Sequence, residues 1–210
     1  VCYFCGVTPA VVTALEKKGI VEFFDSEIYR KPRYTVSENK APSPTLTPAQ
    51  SEAYNELLAK YKDEKAAAYL LFGVTGSGKT KVFLKLVDYT ISRGQSAIVM
   101  VPEISLTPQT LAKFRARYGD KVAVFHSALS MGERLDEWKR IKRGEAQIAV
   151  GTRSAVFAPF DEIGLIIIDE EQEHTYKSEM SPRFHARDVA GFRIAKNNGL
   201  LVLASATPSI

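Results

Sequence analysis

The chain has 210 residues, of which 45% are hydrophobic and 25% are charged, and its formal net charge at pH 7 is +4. This length allows one full domain with a small appendage, and the composition is that of an ordinary soluble globular protein. No apolar run approaches the roughly 20 residues of a membrane span, and residues 1–20 lack the pattern of a signal peptide. We therefore expect a cytosolic protein, and because the chain opens on Val1 rather than Met, we expect an excerpt of a longer polypeptide.

Residues 1–30 are predicted to be the end of a winged-helix-like domain. Thr8 and Pro9 provide the N-cap and the first residue of a helix, and Gly19 ends it. Residues 21–24 and 27–30 are then predicted to pair as a hairpin.

Two cysteines, Cys2 and Cys5, form a single C-x-x-C pair near the start of the chain. Such a pair can begin a zinc site or act as a redox pair. Because no second Cys or His pair follows at ligand spacing, we favour two small apolar residues on a helix face.

Residues 31–46 are rich in proline, serine and charge, which predicts a linker. The main domain is predicted to cover residues 47–210, beginning at Thr47, where Thr-x-x-Gln before an amphipathic helix is a capping box. Strands and helices then alternate, which predicts an α/β fold with a parallel sheet and helices on both faces. The predicted strands are 66–72, 97–101, 121–125, 147–151, 164–169 and 200–205, and the predicted helices that follow the first strand are 79–92, 108–117, 131–143 and 185–197.

A Walker A pattern, G-x-x-x-x-G-K-T, runs from Gly73 to Thr80. It lies between a short apolar segment and a segment that is apolar at helical spacing, the strand–loop–helix context in which backbone N–H groups bind phosphate. These flanks disfavour the alternative, a glycine turn with a solvated lysine. The predicted nucleotide-binding residues are Gly73, Thr75, Gly76, Ser77, Gly78, Lys79 and Thr80, with the Thr80 hydroxyl on Mg²⁺.

A pair of acids follows the apolar run Leu165–Ile168, which is typical of a strand buried on both faces. Carboxylates at the C-terminal end of such a strand face the crevice where ligands bind. We predict that Asp169 orients Mg²⁺ and that Glu170 polarises the attacking water, so that Lys79, Asp169 and Glu170 are the catalytic residues. The alternative, in which both acids only cap the next helix, is weakened by the Walker motif.

Polar clusters also follow three other predicted strands, at residues 101–107, 151–155 and 205–207. Each alone could be a helix cap or a turn, but with the Walker motif and the acids they resemble the ordered motifs of a superfamily 2 helicase lobe. The chain is more specifically similar to the bacterial replication-restart helicases, the PriA family. The stretches that carry this resemblance are Gly73–Thr80, Val101–Gln109, His126-Ser127, Gly151–Phe160, Tyr176-Lys177, Phe184–Asp188 and Ser205–Ser209.

This resemblance implies a RecA-like P-loop lobe of an ATP-dependent, 3′-to-5′ DNA helicase. Such a helicase acts on forked DNA at stalled forks and helps load the replicative helicase. ATP and Mg²⁺ are the implied cofactors, and zinc is expected only in a second lobe. Primosome proteins and the single-stranded DNA-binding protein are the implied partners, and the bacterial cytoplasm is the implied location.

The resemblance also implies roles for individual residues. Gln50 would contact adenine, although the capping box explains this residue equally well. A loop between Gln172 and His185 would couple DNA contact to hydrolysis, and its mixture of rings and cations suits stacking on bases, worth about 1–3 kcal/mol per base. The alternative is that its tyrosine and phenylalanine pack beneath the sheet. The implied DNA-contacting and coupling residues are Pro102, Glu103, Thr152, Arg153, Tyr176, Lys177, Arg183, Phe184, His185, Ser205 and Thr207.

Two features depart from the family pattern. Gln172 stands where the family's acidic motif has histidine, and glutamine can form hydrogen bonds but cannot carry a proton. The sequence also stops at Ile210, directly after the Ser-Ala-Thr motif and without a second lobe. Because that lobe supplies an arginine worth about 10³–10⁵ in rate, we expect these 210 residues alone to bind Mg-nucleotide weakly and to hydrolyse it little.

Alternatives to this function are a non-catalytic, nucleotide-dependent DNA-binding module and another superfamily 2 translocase. The distribution of charge along the sequence does not distinguish between these functions. Residues 113–143 carry nine Lys or Arg against four Asp or Glu, which suits either a DNA backbone or a solvated helix face.

Overall fold

The computed structural model describes residues 5–24 and 41–208. The chain divides into two compact units, residues 1–32 and residues 33–210. None of the helices in the described part is long and apolar enough to cross a membrane.

In the first unit, helix α1 (Pro9–Lys17) begins with Pro9 at its first turn, as the sequence predicts. Gly19 ends it in the left-handed conformation, with φ of +70°, and its N–H donates to the Glu16 carbonyl. Residues 21–24 form no strand, so the hairpin prediction is wrong for this half, and residues 27–30 lie outside the described part. Cys5 is exposed rather than packed on a helix face, and Cys2 is not described. The winged-helix assignment therefore remains a prediction.

The second unit contains a six-stranded sheet in the order β1-β6-β5-β2-β4-β3, with every neighbouring pair parallel. The predicted strands and helices are all present, and their ends shift by at most one residue. The strands are β1 (Ala67–Phe72), β2 (Ser96–Met100), β3 (Val122–Phe125), β4 (Ile148–Gly151), β5 (Ile163–Asp169) and β6 (Leu200–Ser205). The helices are α2 (Pro48–Lys62), α3 (Lys79–Ser92), α4 (Pro108–Tyr118), α5 (Met131–Lys142) and α6 (Ala186–Asn197).

Apolar side chains cover both faces of the sheet. On one face, Val99 and Ile167 belong to a buried cluster with residues of α2, α3 and α4, among them Phe83 and Phe114. On the other face, Ile166 and its neighbours pack with residues of α5 and α6. Burial on both sides explains the continuous apolar run of β5, and it confirms the α/β fold class.

The strand order decides which motifs meet. The end of β1, which leads into the Walker loop, lies beside the end of β6, and β6 in turn pairs with β5. The next neighbour is β2, whose Met100 is level with Ile168. Four of the motif-bearing segments therefore leave adjacent strands at one edge of the sheet.

Replacement of Gly151 by alanine is expected to lower the free energy of unfolding by about 1–3 kcal/mol, the usual cost of overpacking. A Cβ atom here would lie 2.0 Å from the Phe125 carbonyl oxygen, so β3 and β4 would have to move apart. Urea denaturation measures the change. Gly191→Ala in α6 is the control, since its Cβ would meet nothing within 4 Å; equal stability of the two variants would contradict this account of the close approach.

Candidate nucleotide and DNA site

The Walker loop connects β1 to α3 and has the backbone geometry that its glycines predict. Gly76 and Gly78 have φ of +80° and +82°, in the left-handed region that favours glycine. The Gly73 N–H donates to the Ser205 carbonyl at 3.1 Å, which fixes the start of the loop to the end of β6. The Lys79 ammonium donates to the Gly73 carbonyl at 2.6 Å. The loop is thus held at one edge of the sheet, with its lysine inside the turn.

Gln50 makes two hydrogen bonds that join α2 to this loop. Its side-chain carbonyl accepts from the Thr47 N–H at 3.0 Å, which confirms the capping box. Its amide nitrogen donates to the Ser77 carbonyl at 2.7 Å. A Cβ at Gly78 would lie 2.5 Å from that nitrogen, so the loop approaches Gln50 as closely as glycine allows. The contact between Gln50 and adenine remains a prediction.

Asp169 and Glu170 lie at the end of β5, both partly exposed. Burial raises the pKa of Asp169, while the Glu170 backbone N–H and the Lys79 ammonium oppose this rise. Glu170 has a left-handed backbone, with φ of +49°, and its carboxylate accepts a hydrogen bond from the Ser105 hydroxyl at 3.2 Å. The three predicted catalytic residues therefore lie at the same edge of the sheet.

Mg²⁺ fits the donors at this edge. Over residues 5–24 and 41–208, no group of three or more His, Cys, Asp or Glu side chains forms a metal site by itself. Mg²⁺ in nucleotide sites needs no such cage, because it keeps several waters and binds substrate phosphates with one or two protein ligands. The Thr80 hydroxyl at the start of α3 and the Asp169 carboxylate are donors of this kind.

Gln172 links the acidic segment to the end of β6. Its side-chain oxygen accepts from the Ser205 hydroxyl at 2.6 Å, and the same Ser205 oxygen accepts from the Thr207 N–H at 2.9 Å. Ser205 is fully buried. Glutamine in the family's histidine position therefore keeps a connection between these two motifs. His174 is exposed in a separate 3₁₀ turn.

Tyr176 is 1% exposed, so its ring is not available to stack on DNA and that prediction is wrong. The ring packs in the apolar cluster between the sheet and α6, as the alternative reading expected, and its hydroxyl donates to the Asp169 carbonyl at 2.6 Å. Burial raises the pKa of this phenol. Tyr176 thus supports the backbone of the acidic motif from within the core.

Arg153 holds the rest of the loop against the turn that follows β4. Its guanidinium donates to the carbonyls of Thr175 and Lys177 and lies 5.8 Å from the centre of the Phe184 ring. Phe184 also packs edge-to-face with Phe157, with ring centres 5.0 Å apart. Arg153 therefore joins the turn that follows β4 to the loop between Gln172 and His185, and both elements are predicted to contact DNA.

The remaining predicted DNA-contacting residues divide by exposure. Lys177, Arg183 and Glu103 are exposed, whereas Thr152 and Pro102 are buried and shape their turns instead of presenting a side chain.

The Nδ1 atom of His185 accepts from the Arg187 N–H at 3.2 Å and caps α6, while burial and the Arg187 charge lower the pKa of His185.

The basic stretch at residues 113–143 is largely paired within the lobe. Examples are Arg117 with Asp88, Arg140 with Glu137, and Lys142 with Asp161. Burial raises the pKa of Glu137, and Arg140 opposes this rise. These pairs favour a scaffold role for much of the positive charge over a continuous surface for DNA.

The hydrogen bond between Ser105 and Glu170 is among the contacts of the site that were not predicted from the sequence. Ser105 belongs to the polar segment that follows β2. Its expected location at the same sheet edge as Glu170 is the sequence signal that could have indicated this contact. A serine within Pro-Glu-Ile-Ser-Leu-Thr gives no indication of its partner, since that partner lies 65 residues away.

Comparison with known proteins defines the class of this lobe. The profile of the DEAD/DEAH box helicases matches residues 47–210, and the chain belongs to this family. It is 43% identical over 209 residues to the replication restart protein PriA of Bacillus subtilis, covering 100% of this chain and 26% of that protein. It is 44% identical over 205 residues to PriA of Synechocystis, covering 96% of this chain and 24% of that protein. The chain thus spans about a quarter of the length of these relatives.

Solved structures show the same fold. The structure of RecG bound to a three-way DNA junction matches with a TM-score of 0.60 and 25% identity, covering 78% of this chain and 21% of that chain. The helicase domain of Hef from Pyrococcus furiosus matches with a TM-score of 0.54 and 19% identity, covering 77% of this chain and 33% of that chain. The RecA-like helicase fold is therefore established for the second unit.

Proposed function

We propose that this chain is the nucleotide-binding lobe of an ATP-dependent DNA helicase of replication restart. The observation that supports it most is the meeting of Lys79, Asp169 and Glu170 at one sheet edge, in a chain that is 43% identical to a PriA protein. Hydrogen bonds run from this centre to the segments after β2 and β6, which are predicted to contact DNA or to couple that contact to hydrolysis.

In the proposed mechanism, the N–H groups of the Walker loop and the Lys79 ammonium bind the phosphates of ATP. Thr80 and Asp169 would hold Mg²⁺, which neutralises charge on the phosphates when bound. Glu170 orients the attacking water and accepts its proton. The Gln172–Ser205 hydrogen bond joins the acidic segment to the segment after β6, and the Tyr176–Asp169 hydrogen bond joins Asp169 to the loop between Gln172 and His185.

Finer features of the proposal rest on the similarity to PriA proteins. These are 3′-to-5′ movement, action at stalled forks, and help in loading the replicative helicase. The same similarity suggests primosome proteins and the single-stranded DNA-binding protein as partners, and the bacterial cytoplasm as the location.

ATP hydrolysis by the full-length protein, measured with and without single-stranded DNA, tests the proposal. A DNA motor hydrolyses ATP and does so faster on DNA. A protein that binds ATP and DNA without hydrolysis would instead be the non-catalytic binding module.

Replacement of Arg153 by alanine is expected to reduce DNA stimulation of the ATPase by about tenfold, since hydrogen bonds from a charged group contribute about 1.5–3 kcal/mol. The loop that Arg153 holds should also become more accessible. Faster cleavage by trypsin after the exposed residues Lys177 and Arg183 measures that change directly.

The control is Arg93→Ala, which removes a guanidinium that pairs with Glu64 rather than with the coupling loop. If Arg153→Ala left both DNA stimulation and the tryptic pattern like those of Arg93→Ala, Arg153 would not organise the loop.

A further inference from the structure

Ser105 connects the segment after β2 to the proposed hydrolytic acid. Strands β2 and β5 are neighbours, with Met100 level with Ile168, so the segments that follow them leave the sheet side by side. Ser105 is the last residue of a 3₁₀ turn, Glu103–Ser105, and its hydroxyl donates to the Glu170 carboxylate at 3.2 Å. This bond crosses from one motif to the other.

The backbone of Ser105 is fixed on both sides. Its N–H donates to the Pro102 carbonyl at 3.0 Å, and its carbonyl accepts from the Thr110 hydroxyl at 2.9 Å, which ties the turn to α4. The position of its hydroxyl is therefore set by the turn as a whole. If the turn moves, the hydroxyl moves with it.

The outer side of the same turn faces solvent. Glu103 is exposed and Ile104 is 84% exposed, while Ser105 is half-buried and points its hydroxyl inward. A ligand lying over this turn would thus touch one side of a rigid element whose other side holds Glu170. A displacement of the turn would therefore move the hydroxyl that contacts the Glu170 carboxylate.

The Glu170 side chain is suited to respond to a displacement of this turn. Its backbone has the left-handed φ of +49°, and its N–H is bonded to the Asp169 side chain at 3.0 Å, so the main chain is constrained. The carboxylate lies at the end of a side chain with three rotatable bonds. A hydrogen bond to a charged acceptor is strong enough to select among its rotamers.

We propose that Ser105 is a positioning residue that couples DNA contact at the Glu103–Ser105 turn to the placement of the Glu170 carboxylate. This inference rests on the function proposed above. The turn is the element that DNA displaces, and the hydroxyl transmits the displacement to the acid.

The test is Ser105→Ala in the full-length protein, with the ATPase rate measured without DNA and with saturating single-stranded DNA. We expect the ratio of the two rates to fall by about tenfold or more, the change that loss of one hydrogen bond to a charged group supports. Affinity for ATP and for DNA should be unchanged, because the hydroxyl is bonded to Glu170 and not to the Walker loop. Ser105→Thr keeps the hydroxyl and should restore the ratio.

Ser92→Ala is the matched control, since its hydroxyl donates to the Tyr89 carbonyl at the far end of α3. An unchanged ratio in Ser105→Ala would overturn the inference alone, as would an equal loss in Ser105→Thr, which would assign the effect to the shape of the turn. A wild-type ATPase that ignores DNA would overturn the proposed function and the inference together.

Discussion

Replacement of Glu170 by glutamine is expected to reduce DNA-stimulated ATP hydrolysis by about 10²–10⁴-fold, the usual contribution of a general base. Glutamine keeps the size of the side chain and can still accept the Ser105 hydrogen bond, but it cannot take a proton from water. Affinity for ATP should persist, because the Walker loop is the element proposed to bind the phosphates. Steady-state hydrolysis and binding of a fluorescent ATP analogue measure the two properties separately.

Glu173→Gln is the control for this substitution, because it removes a nearby carboxylate and leaves intact the hydrogen bond from the Glu173 N–H to the Glu170 carbonyl at 2.9 Å. It should retain wild-type hydrolysis. If Glu170→Gln hydrolysed ATP as fast as Glu173→Gln, Glu170 would not be the general base of the reaction.

Replacement of Lys79 by alanine is expected to weaken ATP binding by at least about thirtyfold, since loss of one partner of a desolvated charge pair costs about 2–5 kcal/mol. Lys79 is the cation inside the Walker loop, and its charge also influences Asp169. The variant should therefore lose both affinity and hydrolysis, whereas Glu170→Gln loses only hydrolysis. Titration with the fluorescent analogue measures the affinity.

Lys81→Ala is the matched control, because Lys81 is exposed and its ammonium bonds to the Thr45 carbonyl, away from the loop interior. Equal affinities of the two lysine variants would contradict the assignment of Lys79. A urea denaturation curve for each variant separates lost binding from lost folding.

The architecture of the second unit could be predicted because its signals are local. The buried run of β5 and the alternation of strands with capped helices each require only a few neighbouring residues. Parallel strands then bring their C-terminal ends to one edge, so the meeting of Lys79 with the acids followed from the fold class.

Contacts that depend on side-chain direction could not be predicted in this way. An aromatic residue in a polar segment suits either base stacking or burial, and only tertiary packing decided that Tyr176 is buried. The amide of Gln50 reaches the Walker loop because α2 packs beside α3, and no sequence spacing encodes that approach. The bond between Ser105 and Glu170 arises in the same way from the pairing of β2 with β5.

The hairpin prediction was wrong at residues 21–24 for a related reason. Short alternating segments specify a strand only when a partner and a core face support them, and α1 buries none of its side chains in the described part of the first unit. The local sequence pattern alone was therefore insufficient to predict a strand at residues 21–24.

The most direct test of the proposed DNA motor activity is strand separation on a labelled fork by the full-length protein. With ATP and Mg²⁺, the wild-type protein should release the labelled strand, and Glu170→Gln should bind the fork without releasing it. Release of the strand by Glu170→Gln at the wild-type rate, or by the wild-type protein without ATP, would contradict the account.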